Sequence, residues 1–352
     1  MSYQNSGLVA CKDLQQTLQS VWAKDLTKVE PLPLLAALVE MSNPLEPVIS
    51  PGGGKVRKLE TTIFPRALES EATETSDRVC AATTKIDEYK FEYELDPNDI
   101  LQAEFYFEAE DFAEWCGSNA AFLQGAIMQK VDLLRRKVAT RVAEQVALMP
   151  GNYASDVTVN GDNALVVATL QNAGGDPAVA TLQNIDFATR MQTGFSGPMI
   201  VAGGAALYNY IQLVQSGCCY NGGIDIRDIY NRFGMAAIYD KRLSAELAGT
   251  GADSLVIDMN AIQIVNYIQA PWKDGMFNME PRIIGGSGWA FAISDPTTGL
   301  LMDVRMSHDC GRVDVVIDTV VKAFNLPDNI FKATDDYHGV NYITKLKVTN
   351  PS

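Results

Sequence analysis

Apolar residues between Glu110 and Met149 recur in steps of three and four: Leu123, Ile127, Val131, Leu134, Val138, Val142, Val146 and Met149. That spacing puts them on one stripe of a helix, because 3.6 residues complete a turn. Unbroken from Glu110, such a helix would be about 60 Å long at 1.5 Å per residue. Gly117 and Gly125 are weak points where it starts late or bends, and Pro150-Gly151 ends it. Upstream, KIDEYKFEYEL alternates strictly, with Tyr89, Phe91, Tyr93 and Leu95 on one face and Glu88, Lys90, Glu92 and Glu94 on the other. Period two is the signature of a half-buried strand. Val56, Leu59, Thr61 and Ile63 read as its partner, and the polar PRALESEATETSDR between them reads as a tip. The region is therefore a long two-stranded hairpin, which is marginal in water unless it lies on something.

Before the hairpin, a short helical pattern near Asp13–Leu26 is followed by PLPLLAALVEMSNPLEP, apolar and broken by prolines. It reads as an arm lying over other surfaces. Downstream, PMIVAGGAALYNYIQLVQSG predicts a strand, a turn at Gly203-Gly204 and a helix, and SLVIDMNAIQIVNYIQ repeats that plan from Ser254. After Pro281 the pattern is strand-rich, and LLMDVRMSH with RVDVVIDTVVKAF predicts an antiparallel pair around His308-Asp309-Cys310-Gly311. The class is α+β, with a mixed α/β unit inserted between a long helix and its companion strands.

Charge changes this picture in one place. The 352 residues carry a net charge of −15, which disfavours a general nucleic-acid binder. Between Arg66 and Glu114 there are 15 acids against four bases, a net −11 in about one seventh of the chain. Such a segment is either a solvated face or a surface built to meet something basic. On the helix, Lys130, Lys137 and Arg141 fall within about 40° of one another at 100° per residue. No apolar run is long enough to span a bilayer, and MSYQNSGLVACKDLQQ lacks the basic-then-apolar order of a secretory signal, so folding in a cytoplasm is expected. Cys11, Cys80, Cys116, Cys218, Cys219 and Cys310 form no C-x-x-C pair, and the vicinal Cys218-Cys219 reads as two small apolar residues in a reducing compartment.

Catalytic signals are weak throughout. Gly52-Gly53-Gly54-Lys55 invites a phosphate-loop reading, but the frame needs glycine where Ile49 stands and a hydroxyl residue where Val56 stands. GFSGP and GGSGW each miss the nucleophile elbow by their last residue. The two histidines, His308 and His338, are isolated, so no metal-binding histidine cluster is expected, nor any cofactor. His308-Asp309-Cys310 reads as a turn, since sequence neighbours at a hairpin end rarely face one another. Gly203-Gly204 reads as a tight turn in preference to an anion-binding nest, because no G-x-G-x-x-G frame is present.

The order of parts, from N-terminal arm through glycine-flanked hairpin, very long helix and inserted α/β unit to return strands, resembles the major capsid proteins of tailed bacteriophages, the Hong Kong 97-type fold. Leu326-Pro327-Asp328 with Phe331, then Asp336 and Gly339-Val340-Asn341, look like the closing segment of capsid proteins from phages of Bacteroidetes-type hosts. The resemblance implies an arm over 1–50, an extended hairpin (E-loop) with peripheral-domain strands over 51–107, and a spine helix over 108–150. It implies an axial domain over 151–280, then return strands and a C-terminal segment over 281–352. It further implies a non-enzymatic subunit that forms hexamers and pentamers of an icosahedral virion shell around double-stranded DNA, without sequence-specific binding and without a membrane. Assembly is then expected in the host bacterial cytoplasm, with portal, scaffolding or decoration proteins as partners. No long helical scaffold precedes the arm, which implies a separate scaffold, one already removed, or none. Gly52, Gly53 and Gly54 are the expected hinge of the hairpin. Its acidic tip, Glu69, Glu71, Glu74 and Asp77, is expected to dock on Lys130, Lys137 and Arg141 of a neighbouring subunit, unless those cations pair with acids of their own helix such as Glu144. An encapsulin-like nanocompartment and an acidic-residue hydrolase are the alternatives.

Overall fold

The computed structural model describes residues 30–42, 46–49, 56–63, 89–94, 99–108, 120–150, 152–153, 167–169, 199–205, 235–250, 252–258, 261–268, 281–284, 288–309, 312–325 and 342–349, with isolated positions elsewhere. Helix α1 (Pro33–Met41) precedes β1 (Glu46–Ile49), β2 (Val56–Ile63), β3 (Tyr89–Glu94) and β4 (Ile100–Glu108). The long helix α2 (Ala120–Leu148) follows, then β5 (Asn152–Tyr153), β6 (Val167–Thr169), β7 (Met199–Gly203), β8 (Met235–Tyr239) and α3 (Lys241–Leu247). The remainder is strand: β9 (Ser254–Asp258), β10 (Ile262–Tyr267), β11 (Arg282–Ile284), β12 (Gly288–Ser294), β13 (Leu301–Asp309), β14 (Arg312–Asn325) and β15 (Ile343–Thr349).

These strands form three sheets. The hairpin is a three-stranded sheet in the order β1-β2-β3, antiparallel throughout. A second sheet runs β10-β14-β13-β12-β11, with β4 also on β14, and a third runs β5-β15-β9-β7-β8, with β6 on β15. At 14 residues β14 is long enough to serve three partners. Its first part pairs β13 and β4, and its end, from Val320 to Asn325, pairs β10.

Helix α2 has 29 residues, about 43 Å at the helical rise. All eight residues of the stripe, from Leu123 to Met149, are buried. The stretch from Glu110 to Asn119, which the 60 Å expectation includes, lies outside the described residues. The helix runs through Gly125 without interruption. At its end Lys345 of β15, itself buried, donates from Nζ to the carbonyl of Ala147 at 3.3 Å. A cation there satisfies one of the last carbonyls and complements the negative helix end.

Four readings change. The segment from Ile262 is a strand, not the helix that its spacing suggested. Ile262, Gln263, Ile264 and Val265 are all buried, and a strand covered on both faces loses the alternation that would identify it. The proline-broken segment contains a true helix, α1, with Pro33 in the first turn, where its missing N–H costs nothing. Leu34, Leu35, Leu38 and Met41 are buried in the main core, and Ser42 fastens the helix end to the sheet, donating to Leu38 O at 2.7 Å and accepting from Ile264 N–H at 2.8 Å. The arm also supplies β1, a third hairpin strand. Sheet membership, finally, crosses the sequence limits: β10 joins the strands after Pro281, while β15 returns to lie between β5 and β9 in the other sheet.

Candidate functional site

Helix α2 packs against α3, and the flank between them is a polar groove of about 540 Å³. Arg136, Lys137 and Arg141 line it from α2, and Lys241 and Arg242 from α3; the acids on its walls are Glu30 and Glu144. Five cations face two carboxylates. The amphipathic stripe causes this, because burying one face of α2 turns positions 136, 137, 141 and 144 outward together.

The cations are not equivalent. Arg136 pairs with Asp132, one turn back, at 3.0 Å. Glu30 takes Lys241 at 2.7 Å and Arg242 at 3.1 Å. The hydrogen bond from Lys241 is the main reason that the Glu30 carboxyl sits below its ordinary pKa. Arg141 is half-buried and donates from Nη1 to the carbonyl of Asp99 at 2.7 Å, so it is committed within its own subunit. Lys137 is exposed, and among the described residues no acid pairs with it. Lys130 is half-buried and lies outside the groove lining. Of the three cations expected to act together, the structure thus leaves Lys137 available and adds Arg136, Lys241 and Arg242 beside it. The last two were missed because α3 is distant in sequence, and no local pattern places it on this flank. Glu69, Glu71, Glu74 and Asp77 lie outside the described residues.

The second feature is the seat of the hairpin. Leu59, Phe91 and Tyr93, from the inward face of β2 and β3, pack with Val265, Tyr267 and Val320. Ring centroids lie 5.5 Å apart for Phe91–Phe324, 5.1 Å for Tyr93–Phe324 and 6.5 Å for Tyr93–Tyr267. The opposite face carries charges, including the pair Lys58–Glu92 at 2.5 Å. Under the rings, one oxygen of the buried Asp99 accepts from the Tyr93 hydroxyl and from Lys322 Nζ, the latter at 3.1 Å. Gly52–Gly54 also lie outside the described residues. The strands flanking them in sequence, β1 and β2, are paired with each other, Ile49 opposite Val56. The chain leaves this sheet for the body at Glu94 and enters it at Glu46, so its two covalent links are on either side of those positions.

Elsewhere among the described residues, buried polar groups tie elements of the fold together. Arg135, fully buried in mid-helix, bonds Asp295 through Nε at 2.5 Å and Thr297 through Nη2 at 2.7 Å. Burial alone would raise the Asp295 pKa, but hydrogen bonds from Thr298, Arg135 and Thr297 outweigh it and hold the carboxyl below its usual range. Gly203 has φ +133°, and Gly204 N–H donates to Asp253 O at 2.7 Å. That amide is spent on the turn, as expected, and not on an anion. His308 stands opposite Val313 in the β13–β14 hairpin, while Cys310 lies outside the described residues. Among the described residues no group of three or more potential ligands could hold a metal ion, and no helix is long and apolar enough to cross a membrane.

No family model matches the chain, and no curated protein does. Among solved structures, the chain is similar to the capsid of cyanophage P-SCSP1u at 12% identity, covering 87% of this chain and 86% of that one, with a TM-score of 0.41. It is similar to the mature capsid of bacteriophage PhiM1 at 11% identity over 84% and 83%, TM-score 0.40. It is likewise similar to the capsid of Ralstonia phage GP4, at 8% identity over 84% and 85%, TM-score 0.41.

Proposed function

We propose that the chain is a shell-forming subunit, a major capsid protein of the Hong Kong 97-type fold, that closes with copies of itself into an icosahedral particle around double-stranded DNA. One observation carries the reading. The chain invests a three-stranded sheet and an acidic hairpin in a structure whose described seat on its own body is a single small aromatic cluster. A sheet with so little core of its own needs further surface to cover it. Another copy supplies that surface. The hairpin region carries most of the net negative charge, and the α2–α3 groove offers five cations against two acids, so the two are complementary across a contact between copies. The role is structural and not catalytic: Glu30 and Asp295, the carboxyls held low, are both spoken for by cations. Portal, scaffolding and decoration proteins are the further partners of such a shell, and a virion its location.

Docking in this arrangement centres on Lys137, with Lys130 and Arg141 on the same helix and with Arg136 and Lys241, whose charge is shared with Asp132 and Glu30, beside it. Each exposed pair is worth ~0–1 kcal/mol, so the contacts act by repetition around a closed lattice and set register more than affinity. Expression of the full chain, followed by sedimentation and negative-stain imaging, tests the assembly. Closed shells are expected, and a stable small oligomer under every condition tried would overturn it. Absorbance at 260 against 280 nm then separates a nucleic-acid-filled particle from a protein-filled compartment. For the contact, K137E with K241E should leave the subunit folded and lower shell yield, and lysines at Glu69, Glu71, Glu74 and Asp77 should restore it. Wild-type yield from the folded double variant would refute the docking.

A further inference from the structure

We propose that the α2–α3 groove binds a small oligophosphate and that Glu30 makes it prefer several linked charges to one. The binding itself stands on the groove; only its consequence for assembly rests on the docking reading above. At about 540 Å³ the groove falls within the ~300–1,000 Å³ usual for small-molecule pockets. Its outer cations come in two pairs, Arg136 with Lys137 from α2 and Lys241 with Arg242 from α3. Lysine and arginine carry donors and no acceptor, so both walls offer only donors at these positions. Leu101 and Leu133, also in the lining, bring no side-chain acceptor of their own. Arg242 is the recessed member, its side chain 12% exposed, while that of Lys241 is 66% exposed. A charge partly withdrawn from water acts on an anion more strongly than a solvated one, so Arg242 is the stronger anchor of the two.

Glu30 sets the selectivity. Its carboxylate takes Lys241 at 2.7 Å and Arg242 at 3.1 Å, and chiefly the hydrogen bond from Lys241 holds its pKa below the ordinary carboxyl value. It is therefore ionised near neutrality and acts as a tethered competitor on the α3 wall, at an effective concentration of about millimolar or more. A single phosphate that engages only that wall must compete with it. A chain of phosphates gains the α2 wall as well, where Lys137 pairs with no acid among the described residues. Packed helices lie about 8–10 Å apart, close enough for three linked phosphates to touch both walls. Arg136 spends part of its fork on Asp132 at 3.0 Å, and a guanidinium has about five donors to distribute. Linked phosphates concentrate charge in a way that carboxylates on separate side chains do not, and guanidinium forks bind phosphate oxygens in pairs.

Calorimetric titration of the full-length chain as dissociated subunits, with inorganic triphosphate and with orthophosphate as probes, tests both parts. Wild type should bind triphosphate at least about tenfold more tightly than orthophosphate, more than one exposed ion pair supplies. Lys137→Gln should weaken triphosphate several-fold and leave orthophosphate unchanged. Glu30→Gln should strengthen orthophosphate more than triphosphate, so that the preference shrinks. The ratio of the two affinities is the deciding readout, because a general loss of stability in a variant lowers both together. No triphosphate binding by wild type, equal affinity for the two probes, or an unchanged preference in Glu30→Gln would each overturn the site. Duplex DNA should not displace triphosphate from a chain of net charge −15, and displacement would overturn the choice of a free oligophosphate in favour of a nucleic-acid backbone. Shell yield is read separately. Excess triphosphate should lower it by occupying the cations that the acidic hairpin needs, and undiminished yield with triphosphate bound would overturn the docking reading while the site stands.

Discussion

Replacing Arg135 by methionine removes the one buried cation that Asp295 relies on, and the size of the effect follows from the surroundings. Both side chains are essentially inaccessible, 1% and 0% exposed, so solvent cannot compensate the carboxylate left behind. Thr297 and Thr298 still donate to it, at 2.9 and 2.7 Å from Thr297 and 2.6 Å from Thr298. Breaking a buried pair from one side costs about 3–5 kcal/mol, and the remaining hydroxyls place Arg135→Met toward the lower end, near 3. The pH dependence has a definite sign. The Asp295 pKa is lowered in the folded state, so its contribution is present above the unfolded carboxyl value of about 4 and is lost as pH falls through the folded one. In Arg135→Met burial is no longer offset, the carboxyl protonates more readily, and the gap to wild type narrows on acidification. Urea unfolding of dissociated subunits, monitored by circular dichroism at pH 7 and pH 5, measures both. Arg135→Met/Asp295→Asn should recover stability relative to Arg135→Met alone, since the stranded charge is gone. A loss below about 1 kcal/mol at pH 7, or a double variant no better than the single, would refute the argument that the unpaired charge sets the cost.

Three further outcomes are expected. A Cβ at Gly125 meets nothing within 4 Å, so Gly125→Ala should stabilise the subunit by about 0.5–1 kcal/mol through helix propensity, read as a higher urea midpoint with an unchanged slope. Gly203→Ala should do the reverse, by about 1–3 kcal/mol or loss of soluble protein, because φ is +133° and the new carbon would stand 2.7 Å from Asp253 O. Glu30, whose pKa is lowered by its hydrogen bond from Lys241, should clasp α3 above the unfolded carboxyl pKa and let go as pH falls through the lower folded value. Carboxyl NMR titration of wild type and Lys241→Met should show that depression shrink in the variant.

What the sequence determined by itself is whatever burial on one face writes into a local period. The stripe from Leu123 to Met149 is buried as read, Phe91 and Tyr93 face inward while Lys90, Glu92 and Glu94 face out, and β13 and β14 pair across their turn with Asp309 opposite Arg312. Each depends on residues close in the chain, where period 3.6 or 2 is the direct imprint of a covered face. The tertiary structure alone decided the rest. Ile262–Tyr267 is covered on both sides by partners far away in sequence, so its period vanished and a helix was read where β14 makes a strand. Nothing local in ITKLKVT says that it closes the sheet begun before Pro281, since the choice of neighbouring strand is made by long-range pairing. Arg141 looked like a free surface cation beside Lys137, yet only the fold brings Asp99 beneath it, 42 residues back along the chain. The groove shares that origin. Helical period put Lys137 on the outer flank of α2, but packing of α3 against that flank added Lys241 and Arg242 and completed the surface.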